Sequence, residues 1–599
     1  MTKFPCLIVL FTAFFAGTHL HPILGQQAPN SETVSELLTR ADIPGMGLAE
    51  IEGTQLKVSS FGDAAIGKTQ VTDQTIFEAA SLTKPVVGYL VMRLVEKKVL
   101  DLDDPLIELL PSLPLPKDDP RSKNVTVRMA LAHMTGLDGP DNRTLTFAEE
   151  PGSTFRYYPA GYRLVQRVIE NLTDTKLDSL ARREVFEPLG MKSTSFVFKS
   201  EFASNVATRH NLLSEPLVRN RDPGTPANAA ASLLTTAKDY GLFLREMLNP
   251  KVLSQKSIDT MLQVQIDVAD TDGTVAWGIG WGLEPERGAF FHYGDDGSAK
   301  CFTIGSRSRG AAMAYFTNSF NGMSIADEMA RRVIPSESPS VAWLNYKRWD
   351  STFRLARRDI LRAFIDDGPD AGMSLFRKYE KNHEDLDMKK IARWTAWLLD
   401  GRSLDAGRLK ILQWQLDQGE ESIELYQNLI RSLQVVNADR ERQTKIAEKL
   451  IQITKTRTDI VTLNDVAWYF ATHPTNDGFY LETSGVVELA RKTCDLDPEE
   501  GNWKNTLGIA LFRDGQWKQS IKVLKQSNEQ GMDHPYNWLY ISMSEQKLGN
   551  LDAAKSWFEK SMEWKKRNAK AMMADADLRK CFAEAEQELA PVMSRGPKG

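Results

Sequence analysis

Two spacings of apolar residues divide the chain. Between about residues 30 and 335, short alternating runs sit beside helical spacing. "LKVSSFGDAAIG" and "RGAAMAYFTN" combine alternation with turn-forming residues, the pattern of strands. "PVVGYLVMRLVEKK" and "TTAKDYGLFLREML" repeat apolar residues at i, i+3 and i+4, the pattern of amphipathic helices. Gly and Pro are plentiful in this part. After "PSESPS" at 335–340 they become sparse, and amphipathic helices dominate. A polar Pro/Ser-rich stretch makes a linker, so the boundary between a mixed α and β part and a helical part is placed there.

The helical part repeats itself. "NTLGIALFRDGQWKQSIKVLKQS" (505–527) aligns with "YISMSEQKLGNLDAAKSWFEKSM" (540–562). Gly515 falls on Gly549, Ser520 on Ala554 and Leu524 on Phe558, each 34 residues apart. That period is the one of the tetratricopeptide repeat. Small residues where two helices cross, with a large apolar residue one turn later, are what paired helices need. The expected layout is a helical connecting region at 341–440 followed by tetratricopeptide-like repeats at 441–590. Such stacks offer a concave face to a protein partner. A non-repeating bundle with a chance echo is the plainer alternative.

The N-terminus is of another kind. Lys3 precedes "FPCLIVLFTAFFAG", and the chain then turns polar. This is the layout of a secretory signal peptide over residues 1–25, with cleavage expected after Gly25. The run is short for a membrane span, which needs about 20 residues. Nothing later reads as transmembrane. A periplasmic or secreted protein is therefore expected.

Composition narrows the rest. At 599 residues the chain exceeds what one core supports, so at least two domains are expected. The formal net charge of -5 gives no basic bias, which argues against a nucleic-acid partner. The four cysteines, Cys6, Cys301, Cys494 and Cys581, are too scattered for a disulfide framework. The eight histidines form no HExxH pattern and no Cys/His cluster, so no metal site and no cofactor are expected.

Chemistry enters at "FEAASLTKPVVGYL" (77–90), where Ser81 and Lys84 stand one helical turn apart. A serine hydroxyl is a poor nucleophile without a base beside it. A lysine three residues on shares its helix face, and burial drives that lysine toward its neutral form. The pair alone leaves two readings open, a nucleophile with its base or a plain helix cap. The same spacing recurs at Ser544 and Lys547 in the repeat region, where it is read as surface decoration.

Three further segments bear on the choice: "VTVRMALAHMTGLDG" (125–139), "PGSTFRYYPAGYRLVQRVIE" (151–170) and "FFHYGDDGSAKCF" (290–302). With "SLTK" they resemble, in order and spacing, the serine β-lactamase and penicillin-binding-protein superfamily, in its class C-like branch. That branch includes D-alanyl-D-alanine carboxypeptidases, D-aminopeptidases and small-ester hydrolases. The resemblance covers about residues 35–335, within a hydrolase domain set at 30–340. It implies an α+β fold, an antiparallel sheet flanked by helices, with the site beside a mostly helical lobe. The all-α tetratricopeptide-like domain would follow it.

The resemblance also implies roles. Ser81 is the acylated nucleophile and Lys84 its proton acceptor. Tyr157, on the tyrosine of the Y-x-N motif, acts as a phenolate or through a relay with Lys84; the neighbouring Tyr158 is the other candidate. His292 in "HYG" stands for the lysine of Lys-Thr-Gly, to bind a substrate carboxylate or steady Tyr157. Gly294 and Asp295 line the substrate site, and the N–H groups of Ser81 and Asp295 form the oxyanion hole. His133 in "LAHMTGL" and the segment 231–243 are structural. Two departures stand out. Pro159 replaces the motif's asparagine and loses its amide. His292, largely neutral near pH 7, holds a carboxylate less firmly than lysine does. Both weaken the case for an efficient β-lactamase and suit an esterase or peptidase. The resulting expectation is an extracytoplasmic serine hydrolase acting through an acyl-enzyme on an ester, amide or lactam. The alternative is a weak or inactive binding module scaffolded by the repeats.

Overall fold

The structure is a computed structural model that describes residues 33–139, 145–218, 222–475, 478 and 480–593. The segment read as a signal peptide lies outside them. The chain divides after Asp350 into two units.

The first unit is built on one nine-stranded sheet. Its strands are β1 (Gly45–Glu52), β2 (Gln55–Ala65), β3 (Thr69–Gln70), β4 (Ile266–Asp267), β5 (Ala276–Trp277), β6 (Gly282–Glu284), β7 (Ala289–Asp295), β8 (Lys300–Ser306) and β9 (Ala311–Thr317). The spatial order is β3-β2-β1-β9-β8-β7-β6-β5-β4, with antiparallel neighbours throughout. The "RGAAMAYFTN" run forms β9, and its period of two is plain in the packing. Ala312, Ala314 and Phe316 enter the core on one face, while Met313 and Tyr315 enter the core on the other. Both faces are covered, so β8 and β9 are buried almost end to end.

Four helices frame this sheet and its approaches: α1 (Val34–Arg40), α2 (Thr83–Glu96), α3 (Ala160–Thr173) and α4 (Ala237–Leu248). Helix α2 is buried at every position from Thr83 to Met92. A helix apolar all round belongs in a core, and each large side chain buried there contributes roughly 1.5–3 kcal/mol. Helix α4 starts where the sequence places it, with Thr236 capping the Asp239 N–H. A small strand pair, Phe77–Glu78 with Leu234–Thr235, joins the approach to α2 to the approach to α4.

The second unit is helical throughout its described elements. Helices Gly501–Arg513 and Pro535–Lys547 start 34 residues apart, and so do Trp517–Glu529 and Leu551–Arg567. Gly515 and Gly549 close the two turns with φ of 75° and 84°. The helices of each pair meet through a small residue and a hydroxyl. Ser520 donates to the Gly508 carbonyl at 2.7 Å, and Ser542 donates to the Ala554 carbonyl at 2.5 Å. Ser544, expected at the surface, is instead fully buried between helices, where a small hydroxyl fits the crossing. Only Lys547 reaches the surface, where it pairs with Glu588. Among the described residues, no helix is long and apolar enough to cross a membrane.

A Cβ added at Gly508 would run into the Leu524 side chain. Gly508→Ala should therefore destabilise the helical unit by about 1–3 kcal/mol, read by chemical denaturation of the full chain. An unchanged transition would contradict this helix pairing.

Candidate active site

Ser81 lies on a single helical turn, Ala80–Leu82, between the Phe77–Glu78 strand and α2. Ala80 adopts φ of 44°, a left-handed backbone that costs a residue other than glycine about 1–3 kcal/mol. One local bond and several long-range ones hold the turn in that shape. Cys301 Sγ donates to the Ala79 carbonyl at 3.1 Å, and Thr83 Oγ1 donates to the Ala80 carbonyl at 2.6 Å. Thr83 Oγ1 in turn accepts the Leu233 N–H at 3.0 Å, and Tyr240 donates to the Leu82 carbonyl at 3.2 Å. Segment 231–243 thus serves as a bracket for the serine turn.

Lys84 Nζ donates to Ser81 Oγ at 2.9 Å and to the Ala230 carbonyl at 2.8 Å. It also sits over the rings of Tyr157 and Tyr162, at 4.9 and 5.6 Å from their centroids. The lysine is 1% exposed. Burial, with the Arg163 charge adding to it, lowers its pKa to about 7. A large share of Lys84 is therefore a neutral amine near pH 7, with its nitrogen on the serine oxygen.

The two adjacent tyrosines separate cleanly. Tyr158 donates to the Gly139 carbonyl at 2.8 Å, away from the serine. Tyr157 interacts with Ser81, and that contact pulls its pKa down. Burial, the larger effect, holds the phenol well above the ordinary tyrosine range. His133 fixes this stretch: its Nδ1 accepts the Tyr158 N–H at 3.1 Å and its carbonyl accepts the Arg156 N–H at 2.8 Å. Its ring lies 4.4 Å from that of Tyr157. Pro159 caps α3 without a side-chain bond.

The other wall is β7. His292 is wholly buried, its ring 6.2 Å from Tyr157 and 5.6 Å from Trp277. Burial, with Lys84 nearby, lowers it to about 3, so the imidazole is neutral. Gly294 faces the serine turn at close range; an added Cβ would come within 2.5 Å of the Ala79 carbonyl and would strike Cys301 Sγ. Asp296 N–H bonds the Ala299 carbonyl at 3.0 Å. The antiparallel ladder alternates from there, so Gly294 bonds β8 and the Asp295 N–H turns the other way. On that side β6 stops opposite Ala289–Phe291 and leaves the end of β7 uncovered. The Asp295 carboxylate is committed to Lys300 and to Tyr346.

Three buried polar atoms here have no hydrogen-bond partner, His133 Nε2, Trp277 Nε1 and His292 Nε2, and the contact of Tyr157 Oη with Ser81 falls short of hydrogen-bond geometry. Their rings form one contiguous cluster. Most buried polar atoms in folded proteins are paired, so a cluster of unpaired ones beside the serine turn sets this region apart. Sequence reasoning alone does not reach Trp277, the Ala230 carbonyl or the strained Ala80. "AWGIGWG" (276–282), an unusual Trp/Gly alternation, is the available signal for Trp277. Among the described residues no group of His, Cys, Asp and Glu is arranged to hold a metal ion.

Gly294→Ala would push β7 off the serine turn. It should slow labelling of Ser81 by a fluorophosphonate at least tenfold and lower the melting temperature, as overpacking by about 1–3 kcal/mol does. If both stay unchanged, the close approach does not govern the site.

Comparison with known proteins identifies the family of this part of the chain. The β-lactamase family model matches residues 30–335. Penicillin-binding protein 4 of Amycolatopsis lactamdurans is 27% identical over 299 residues, which cover 45% of this chain and 78% of that protein. The unguisins hydrolase ungD' of Aspergillus campestris is 23% identical over 301 residues, 45% of this chain and 56% of its own length. The chain thus spans little more than half of that fungal relative. An octameric penicillin-binding protein homologue from Pyrococcus abyssi aligns with a TM-score of 0.44 at 22% identity, over 55% of this chain and 79% of its own. With the sheet, the flanking helices and the match over half its length, the chain belongs to the β-lactamase family of serine hydrolases and penicillin-binding proteins.

Proposed function

We propose that the first unit is a serine hydrolase that works through an acyl-enzyme on Ser81. One observation carries this: a wholly buried lysine, with its pKa near 7, donates to the serine oxygen at 2.9 Å. Neutral Lys84 takes the Ser81 proton as Oγ attacks the substrate carbonyl carbon. The carbonyl π electrons move onto oxygen, where the N–H groups of Ser81 and Asp295 receive the negative charge. Ser81 is the second residue of its turn, so its N–H has no acceptor within that turn. The tetrahedral adduct then expels its leaving group. A proton reaches the leaving group from Lys84, passed through the Tyr157 phenol. Burial keeps Tyr157 protonated, which favours a relay over a phenolate base. In the second half Lys84 takes a proton from water as its oxygen attacks the acyl carbon; the bond from that carbon to Ser81 Oγ then breaks, the acid leaves and Lys84 returns the proton to Oγ.

The substrate class is an ester, amide or lactam, including peptides ending in D-amino acids. Neutral His292 and Pro159 favour an esterase or peptidase over a β-lactamase. The N-terminal pattern supports a periplasmic or secreted location. The 34-residue spacing of helix pairs supports tetratricopeptide-like repeats that hold a protein partner.

Wild type and Ser81→Ala should be compared on a short-chain nitrophenyl ester and a chromogenic cephalosporin. Serine-dependent ester hydrolysis with a poor cephalosporin rate is expected; equal rates for the two proteins would overturn the mechanism. The pH profile is a second check. Lys84 acts when deprotonated, so kcat/KM should be flat at alkaline pH and fall about tenfold per unit below pH 7. A profile with no break near 7 would remove Lys84 as the base.

A further inference from the structure

The family match ends at residue 335, yet the next fifteen residues fold back onto the site. They are pinned at both ends. Near one end, Ser338 Oγ and the Ser340 N–H donate to the Glu284 carboxylate, which is 1% exposed. At the other, Trp349 is buried, its indole N–H on Glu328 at 3.0 Å and its ring under Arg40 at 4.2 Å. Between the pins, the short helix Pro339–Leu344 and the residues after it present Trp343 and Tyr346.

Trp343 meets Phe155 at 6.2 Å and Tyr293 at 6.3 Å between ring centroids. Tyr293 lies 5.6 Å from Tyr157, which interacts with Ser81. Phe155, Tyr157, Tyr293, Trp343 and Tyr346 are each only partly buried, so one run of aromatic surface extends outward from the nucleophile. Tyr346 Oη donates to Asp295 Oδ2 at 2.5 Å, and its ring lies 5.0 Å from Lys300 Nζ. Lys300 and Asp295 are paired with each other. The wall therefore offers ring faces and edges, and its two charges are already committed. That chemistry fits a neutral aromatic group and gives little to a carboxylate.

We propose that Trp343 and Tyr346, supplied from beyond the family domain, complete a wall beside Ser81 that receives an aromatic group attached near the scissile carbonyl. Tyr346 additionally positions the Asp295 turn. The proposal rests on the reading of Ser81 as nucleophile, so its test is made independent of turnover. Full-length Ser81→Ala protein is titrated with methyl 2-naphthylacetate and with methyl acetate, and binding is followed by saturation-transfer NMR. The naphthyl ester should bind and methyl acetate should not. Adding Trp343→Ala should weaken the naphthyl ester about five- to tenfold, and Trp343→Phe should weaken it less. If Trp343→Ala lowers the melting temperature sharply, Trp343→Phe decides, expected to weaken naphthyl binding in a protein that melts like its parent. Unchanged naphthyl binding in folded variants, or equal binding of the two esters, overturns the proposal. Wild-type turnover is measured separately. An inactive wild type that still binds the naphthyl ester through Trp343 would sink the hydrolase and leave the wall standing.

Discussion

One amine held out of water organises the first unit. Lys84 is enclosed on the first turn of α2, with Ser81 Oγ and the Ala230 carbonyl as its acceptors and two tyrosine rings around it. Moving its pKa from 10.5 to about 7 corresponds to about 5 kcal/mol in favour of the neutral form. That energy comes from the surrounding fold, through α2, the His133 loop and segment 231–243. The strained Ala80 is tolerated for the same reason, because bonds from β8, α4 and Leu233 over-determine its position.

The local parts of this site were legible in the sequence. A serine and lysine at helical spacing, a double tyrosine, and a strand ending in His-Tyr-Gly each carry their signal within a few residues. The period of two in β9 and the helical spacing of α4 were legible in the same way. What was not legible depends on partners far along the chain. The Ala230 carbonyl carries no side-chain signature. Which tyrosine faces the serine depends on Gly139 accepting from the other one. The stretch 335–340 reads as a linker because its Pro and Ser are polar and turn-forming. In the fold two of those serines, Ser338 and Ser340, are buried against Glu284.

Two copies of one tetrad make the point about context. Ser81 and Lys84 share a buried turn, so the lysine loses its charge. Ser544 and Lys547 share a helix in which the serine is buried and the lysine is not. There Lys547 pairs with Glu588 at the surface, turned away from the serine. Spacing is the same in both; solvation is opposite.

The sheet order has a consequence for biosynthesis. Strands β1 and β2 are made first, yet they join the remainder of the sheet only through β9, at residues 311–317. Contact order is high, and the loop to be closed is nearly the whole unit. A chain emerging from a ribosome carries Ser81 long before β7, β8 and β9 exist to frame it. Until they dock, Lys84 is hydrated and protonated, and the serine is chemically ordinary. Under the proposed mechanism the nascent chain is inert by topology, since the neutral Lys84 that the mechanism needs exists only once the last strand has closed the sheet.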